Sequence, residues 1–176
     1  AVIVKNLKAF SHVDSSEWQY ASITEGLDNT LKIAANQIKY KAEVHKEYQQ
    51  DLPDLYCQPM QLNQVFLNLL VNAAQAIEEK GDIFVAVFAT ESMIVVKISD
   101  TGSGIDKKHL KKIFEPFFTT KPVGTGTGLG LSLSYSIVQK HLGHIKVESE
   151  VGKGTCFTIE LPLLTPERVA ESTEEV

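Results

Sequence analysis

Residues 61–77 read Gln61-LNQVFLNLLVNAAQA-Ile77, a stretch without a charged side chain, a Gly or a Pro. Leu62, Val65, Phe66, Leu69, Ala73, Ala76 and Ile77 recur at helical spacing and form one core-facing stripe. The polar positions are all carboxamides. Gln61, Gln64, Asn68, Asn72 and Gln75 follow one another every three or four residues along a second stripe. A surface helix ordinarily carries Lys and Glu on its wet side, and Asn is a mediocre helix residue because it competes for backbone hydrogen bonds. Two readings stand. The amides bond to neighbouring loops, or they are hard oxygen ligands suited to Mg2+, which takes few protein ligands and completes its shell with water and phosphate oxygens.

Around this helix the chain alternates between periods. Pro59 suits its first turn, and the reading carries it to about Lys80, with Gly81 as its stop. Upstream, Trp18–Ile23 reads as a short strand. Thr24 offers an N-cap to a helix with Leu27, Leu31, Ala34 or Ala35, and Ile38 on its apolar face. Ala42–Gln49 is a second strand, closed by Asp51-Leu-Pro-Asp54. Downstream, Ile83–Thr90 and Met93–Ser99 form a hairpin, and 100–130 is a long irregular stretch of the kind that is usually functional. A helix Leu131–Leu142 and strands His144–Glu150 and Thr155–Leu161 follow. The expectation is an α+β fold in two layers, one sheet covered on a single face by three helices.

Length and charge narrow the function. The 176 residues, 19.4 kDa, suit one domain with short appendages. A net charge of −5 argues against general attraction to nucleic acid or anionic lipid. No apolar run approaches the roughly 18 residues that would span a bilayer. Cys57 and Cys156 lie far apart, outside any metal-ligand spacing, as two reduced thiols of a cytoplasmic protein would.

Asp100 ends an apolar strand and opens Asp100-TGSG-Ile105. A carboxylate there can accept from the exocyclic amine of adenine, or it can simply form an Asx-turn. Gly124-TGTGLGL-Ser132 brings glycines up to a helix N-terminus, where backbone N–H groups converge on an anion. It is neither a P-loop nor a dinucleotide fingerprint, and a flexible connector is the plainer reading. Ahead of it lies Phe114-EPFFTT-Lys121. Lys107, Lys108, Lys111 and Lys112 read as a solvated charge run, whereas Lys121 is placed for a polyphosphate and Phe114, Phe117 and Phe118 would pin a mobile lid. Trp18 reads as a packing residue, and His141 and His144 as cations at a helix C-terminus.

Taken in order, Asn68-LLVNAAQA-Ile77, Asp100-TGSG-Ile105, Phe114-EPFFTT-Lys121 and Gly126-TGLGL-Ser132 resemble the N, G1, F and G2 boxes of the ATP-binding catalytic domain of sensor histidine kinases. Gly143-HIKVESEVGKGTCFTIEL-Pro162 is similar to the end of that domain. The lid wording resembles the nitrogen-regulation and dicarboxylate-sensing type. The resemblance implies a Bergerat-type α/β sandwich with a mixed, mostly antiparallel sheet of about five strands. It implies ATP and Mg2+ as cofactors, with Asn68 and Asn72 on the metal and Asn68 and Lys121 as the catalytic pair. Nucleotide contacts would come from Asp100, Gly102, Gly104, Ile105, Phe114, Thr120, Lys121, Gly126, Thr127, Gly128, Leu129 and Gly130. Thr155 or Thr158 on the last strand would reach the adenine through water, Thr158 being the one counted among the nucleotide contacts, although a plain strand threonine is the commoner reading.

By the same resemblance, residues 1–12 are the stub of a second dimerisation helix and 13–162 the catalytic domain, while the glutamates of 163–176 read as an acidic mobile tail. The family's phosphoacceptor His is followed by an acidic residue. Here the histidines precede Val13, Lys46, Leu110, Leu142 and Ile145, so the substrate histidine belongs to a domain outside this sequence. The implied partners are that dimerisation domain and a response-regulator receiver, with no nucleic acid and no membrane contact. An ATPase or clamp of the wider superfamily would need a Glu where Asn68 stands. Intact boxes argue against a nucleotide-binding module without chemistry, and a serine kinase of the anti-sigma type shares the fold, but the lid wording is closer to that of histidine kinases.

Overall fold

The computed structural model describes residues 17–121 and 126–174, so the expected stub Ala1–His12 lies outside the described residues. In chain order the elements are β1 (Gln19–Ala21), α1 (Ile23–Ile38), β2 (Ala42–Tyr48), β3 (Leu55–Cys57), α2 (Pro59–Ala76), β4 (Gly81–Ala89) and β5 (Met93–Asp100). Then come α3 (Lys107–Leu110), α4 (Gly130–Lys140), β6 (His144–Glu150), β7 (Gly154–Pro162) and α5 (Pro166–Glu174).

Alternation in the strands builds the sheet. Ile83, Val85 and Val87 of β4 turn inward while Phe84 stays 46% exposed on the other face. β4 and β5 pair antiparallel with Val85 opposite Ile98. The full order is β2-β4-β5-β7-β6, antiparallel throughout except for β2 beside β4. A parallel pair needs a crossover, and the chain carrying β3 and α2 supplies it. Helices α1, α2 and α4 cover one face. Leu27, Phe66, Leu69, Leu70, Ile98, Ile137 and Ile159 are all buried between the two layers, and burial of each such side chain is worth roughly 1.5–3 kcal/mol. This is the two-layer α+β architecture the sequence implies.

Several boundaries differ from the sequence reading. Ser22, not Thr24, caps α1: its Oγ accepts from Glu25 N at 3.3 Å, the first half of a Ser-x-x-Glu capping box. Helix α2 stops at Ala76 instead of about Lys80. Ile77 turns to an extended conformation (φ −88°, ψ 116°) and buries its side chain, while Lys41 Nζ donates to the carbonyls of Ile77 and Glu78 at 3.0 and 2.6 Å. Gly81 consequently opens β4. The short β3, which pairs with β1, was not expected after the Pro53 break. Neither was α3, one turn capped by Asp106. The acidic tail carries helix α5, and it leaves β7 with Leu163 N donating to Ser92 O at 2.8 Å and Leu164 buried.

Trp18 packs as expected, its ring 4.9 Å from His141 and stacked on Tyr56 at 5.7 Å. His141 is no cation at a helix end. It is buried, burial pushes its pKa down to about 4, and its Nε2 accepts from Gln58 N at 3.0 Å while Nδ1–H donates to Ile137 O at 2.8 Å. Among the described residues both cysteines are free thiols, and no helix is long and apolar enough to cross a membrane.

Candidate functional site

Helix α2, the C-terminal end of β5 and the segment leading into α4 enclose a cleft of about 610 Å³. Its inner end is set by Asp100, the last residue of β5, which is only 9% exposed. Asp100 Oδ1 accepts from Gly102 N at 2.8 Å, the Asx-turn of the plainer reading, and the Thr155 backbone also donates to the carboxylate. Burial raises its pKa, against these hydrogen bonds, which lower it. Ile105, Ile113, Phe157 and Thr155 line the same cleft, and Thr155 is Asp100's partner across the β5–β7 pair. Gly104 has φ +72°, and a Cβ there would overlap the Glu150 carbonyl, so a side chain would push this wall out of place. A buried acceptor in an apolar slot is the recognition chemistry of a flat heterocycle that carries an amino group.

The carboxamide stripe divides by function. Asn68 Nδ2 donates to Gly130 O at 3.0 Å and to Ser134 Oγ at 3.2 Å, and its Oδ1 accepts from Gln64 Nε2 at 3.0 Å. Two acceptors on one side and a donor on the other fix the amide's orientation. One turn later, Asn72 Oδ1 accepts from Lys121 Nζ at 3.2 Å, and Gln75 Oε1 accepts from the same ammonium. Burial lowers the pKa of Lys121. A cation thus already rests on these amide oxygens, so the donor set fits a hard cation such as Mg2+.

The outer wall comes from the glycine-rich segment. Phe117 N donates to Gly128 O at 2.9 Å, tying that segment to the residues before Lys121. No side chain caps the N-terminus of α4, and Gly130 and Leu131 at its start line the cleft. Uncapped first-turn N–H groups and the helix dipole suit an anion.

Of the residues singled out in the sequence, the cleft brings together Asn68, Asn72, Asp100, Gly104, Ile105, Thr120, Lys121, Gly126, Thr127, Gly128 and Gly130. Gly102 stands behind Asp100 as a hydrogen-bond donor. Phe114 packs on Tyr135 and Phe157. Leu129 is the N-cap of α4. Thr158 is not brought to the cleft: Thr155, Phe157, Ile159 and Leu161 share the buried face of β7, which leaves Thr158 on the opposite one. Strict alternation already favours Thr155 over Thr158. Phe117 does not pin the segment, being 75% exposed with φ +67°, whereas Phe118 packs on His109. Lys107, Lys108, Lys111 and Lys112 are exposed, as a solvated run should be. Ile113 and Phe157 were not singled out for the site. They lie on ordinary apolar positions with no sequence signal of their own.

Residues 57–165, which contain all of this cleft except Gln37, match the family model described as "Histidine kinase-, DNA gyrase B-, and HSP90-like ATPase". The chain belongs to this ATPase family. It is 37% identical to the signal transduction histidine-protein kinase AtoS of Escherichia coli K12, over 92% of this chain and 26% of that protein. It is 47% identical to sporulation kinase E of Bacillus subtilis, over 64% of this chain and 15% of the kinase. The chain therefore spans about a quarter or less of the length of these two relatives. Among solved structures, the nucleotide-free catalytic domain of histidine kinase ThkA superposes with a TM-score of 0.77 at 30% identity, covering 86% of this chain and 99% of that one. The fold is that of a histidine-kinase catalytic domain, and membership of the ATPase family carries ATP binding with it.

Proposed function

We propose that this domain binds ATP with Mg2+ and presents the γ-phosphoryl group to a histidine on a dimerisation domain of the intact protein, from which a response-regulator receiver takes it. The observation that carries the reading is the cleft's polarity: a buried carboxylate at its inner end, and Lys121 on the oxygens of Asn72 and Gln75. Asp100 accepts from the adenine amino group and is itself held by Gly102 N–H. Ile105, Ile113 and Phe157 exclude water around the ring. Lys121 and the N-terminus of α4 hold the phosphates. Asn72 offers its oxygen to Mg2+, as does Asn68, whose Oδ1 keeps one lone pair beyond the Gln64 bond. The metal would neutralise charge on the transferred group, the usual basis of phosphoryl transfer.

Transfer is favoured over hydrolysis by Asn68. One turn before Asn72, where a base would have to stand, the structure has an amide bonded to Gln64, Gly130 and Ser134. An amide does not take a proton from water. The test is a reaction in trans: this domain, Mg·ATP and a fragment bearing the dimerisation helices should give acid-labile phosphate on the fragment. Steady-state ATP hydrolysis without phosphate on that histidine would overturn the reading. The location we propose for the domain is cytoplasmic.

A further inference from the structure

Gln75 lies three positions after Asn72, so the two carboxamides share a face of α2. Gln75 is exposed and packs nothing in the core, yet its Oε1 accepts from the very ammonium that Asn72 holds. A lysine ammonium on a flexible four-carbon stem has three donors and no directional preference of its own. Its place is set by the acceptors around it.

We infer that Gln75 is the positioning residue for Lys121, keeping its ammonium aimed into the cleft when Asn72 gives its oxygen to a divalent cation. Two cations cannot share one amide oxygen without strong mutual repulsion. Once Asn72 is committed to the metal, Gln75 is the remaining acceptor of the pair, and it lies one turn farther along the helix. Lys121 then keeps an acceptor beside the cation. The inference rests on the ATP reading above and gives a role to the last amide of the stripe.

A binding cycle tests it. Gln75→Met, Lys121→Met and the double variant keep side-chain length and remove the acceptor, the ammonium or both. Calorimetry would measure Mg·ATP and adenosine on each, with thermal melting as the check on folding. Gln75→Met should weaken Mg·ATP by about three- to tenfold, the range for an ordinary net hydrogen bond, since water screens the ammonium's charge at this exposed side chain, and leave adenosine unchanged. In the Lys121→Met background it should cause no further loss. Losses that multiply in the double variant, or an equal loss for adenosine, would overturn the inference while leaving the ATP reading intact. Failure of the unmodified domain to bind Mg·ATP would instead overturn both.

Discussion

Asn68 on α2 reaches across to the first residue of α4 and donates to the Gly130 carbonyl at 3.0 Å, so the amide helix holds the end of the glycine segment by a side chain. The bond separates the two asparagines. Asn68→Ala should cost the nucleotide-free domain about 1 kcal/mol, a typical net value for one hydrogen bond. The loss stays small because Gly130 O still accepts from Ser134 Oγ at 2.9 Å. Asn72→Ala should barely change the melting temperature and should reduce the increase in ATP affinity that Mg2+ produces, leaving what Asn68 alone supports. Equal destabilisation by both substitutions would contradict this division.

Gly128 has φ +66°, and a Cβ there would lie 2.6 Å from Phe117 Cα. Both facts exclude a side chain, since left-handed backbone and a close main-chain approach are each costly without glycine. At Gly126 a Cβ would meet side-chain atoms of Thr119 and Lys121 and no main chain, and the backbone there is not left-handed. Gly128→Ala should therefore lower ATP affinity by about tenfold or more, in line with strain on the order of 1–3 kcal/mol, and Gly126→Ala by much less. The reverse order, measured by equilibrium binding, would show that the Phe117 approach does not shape the bound state.

The fold was legible because its signals are periodic. Helical spacing from Gln61 to Ile77 and alternation in β4, β5 and β7 fix the layers and the face each side chain takes without knowledge of partners. What the spacing of Asn68 and Asn72 could not convey is that one amide would be spent on Gly130 and the other on Lys121, since both partners arrive from distant sequence. The end of α2 was missed for the same reason. Lys41, in the loop before β2, takes the carbonyls beyond Ala76. Between Thr155 and Thr158 the residue type alone could not choose, and alternation along the strand decides for Thr155, which lines the cleft.

Asp100 sets ligand binding against stability. Its carboxyl pKa is raised by burial, so its ionised form is held in the folded state at a cost that grows as pH rises through that pKa. Asp100→Asn keeps an oxygen for Gly102 N–H and removes the charge. At neutral pH it should leave the nucleotide-free domain as stable or more stable, because the desolvated charge is gone. Adenine binding should fall, because the amide's NH2 faces the purine amine donor to donor, while the affinity for inorganic triphosphate stays unchanged. Loss of both ligands together would place Asp100 outside the purine subsite.

The pH dependence of folding should carry the mark of His141. Its pKa is about 4 in the folded chain against 6.5 for a free imidazole, and at 1% exposure the ring has no water to carry a charge. Below pH 6.5 the unfolded chain binds a proton that the folded one refuses. The stabilisation is full above pH 6.5 and is lost as pH falls toward 4, in total about 3 kcal/mol at 1.36 kcal/mol per pKa unit. His141→Gln removes the titration, and its stability measured by urea unfolding should fall less steeply over that window, although the variant is less stable at pH 7 for want of the Gln58 and Ile137 bonds. Parallel pH profiles for the two proteins would mean that the imidazole is protonated in place, and Gln58 N could then no longer donate to Nε2.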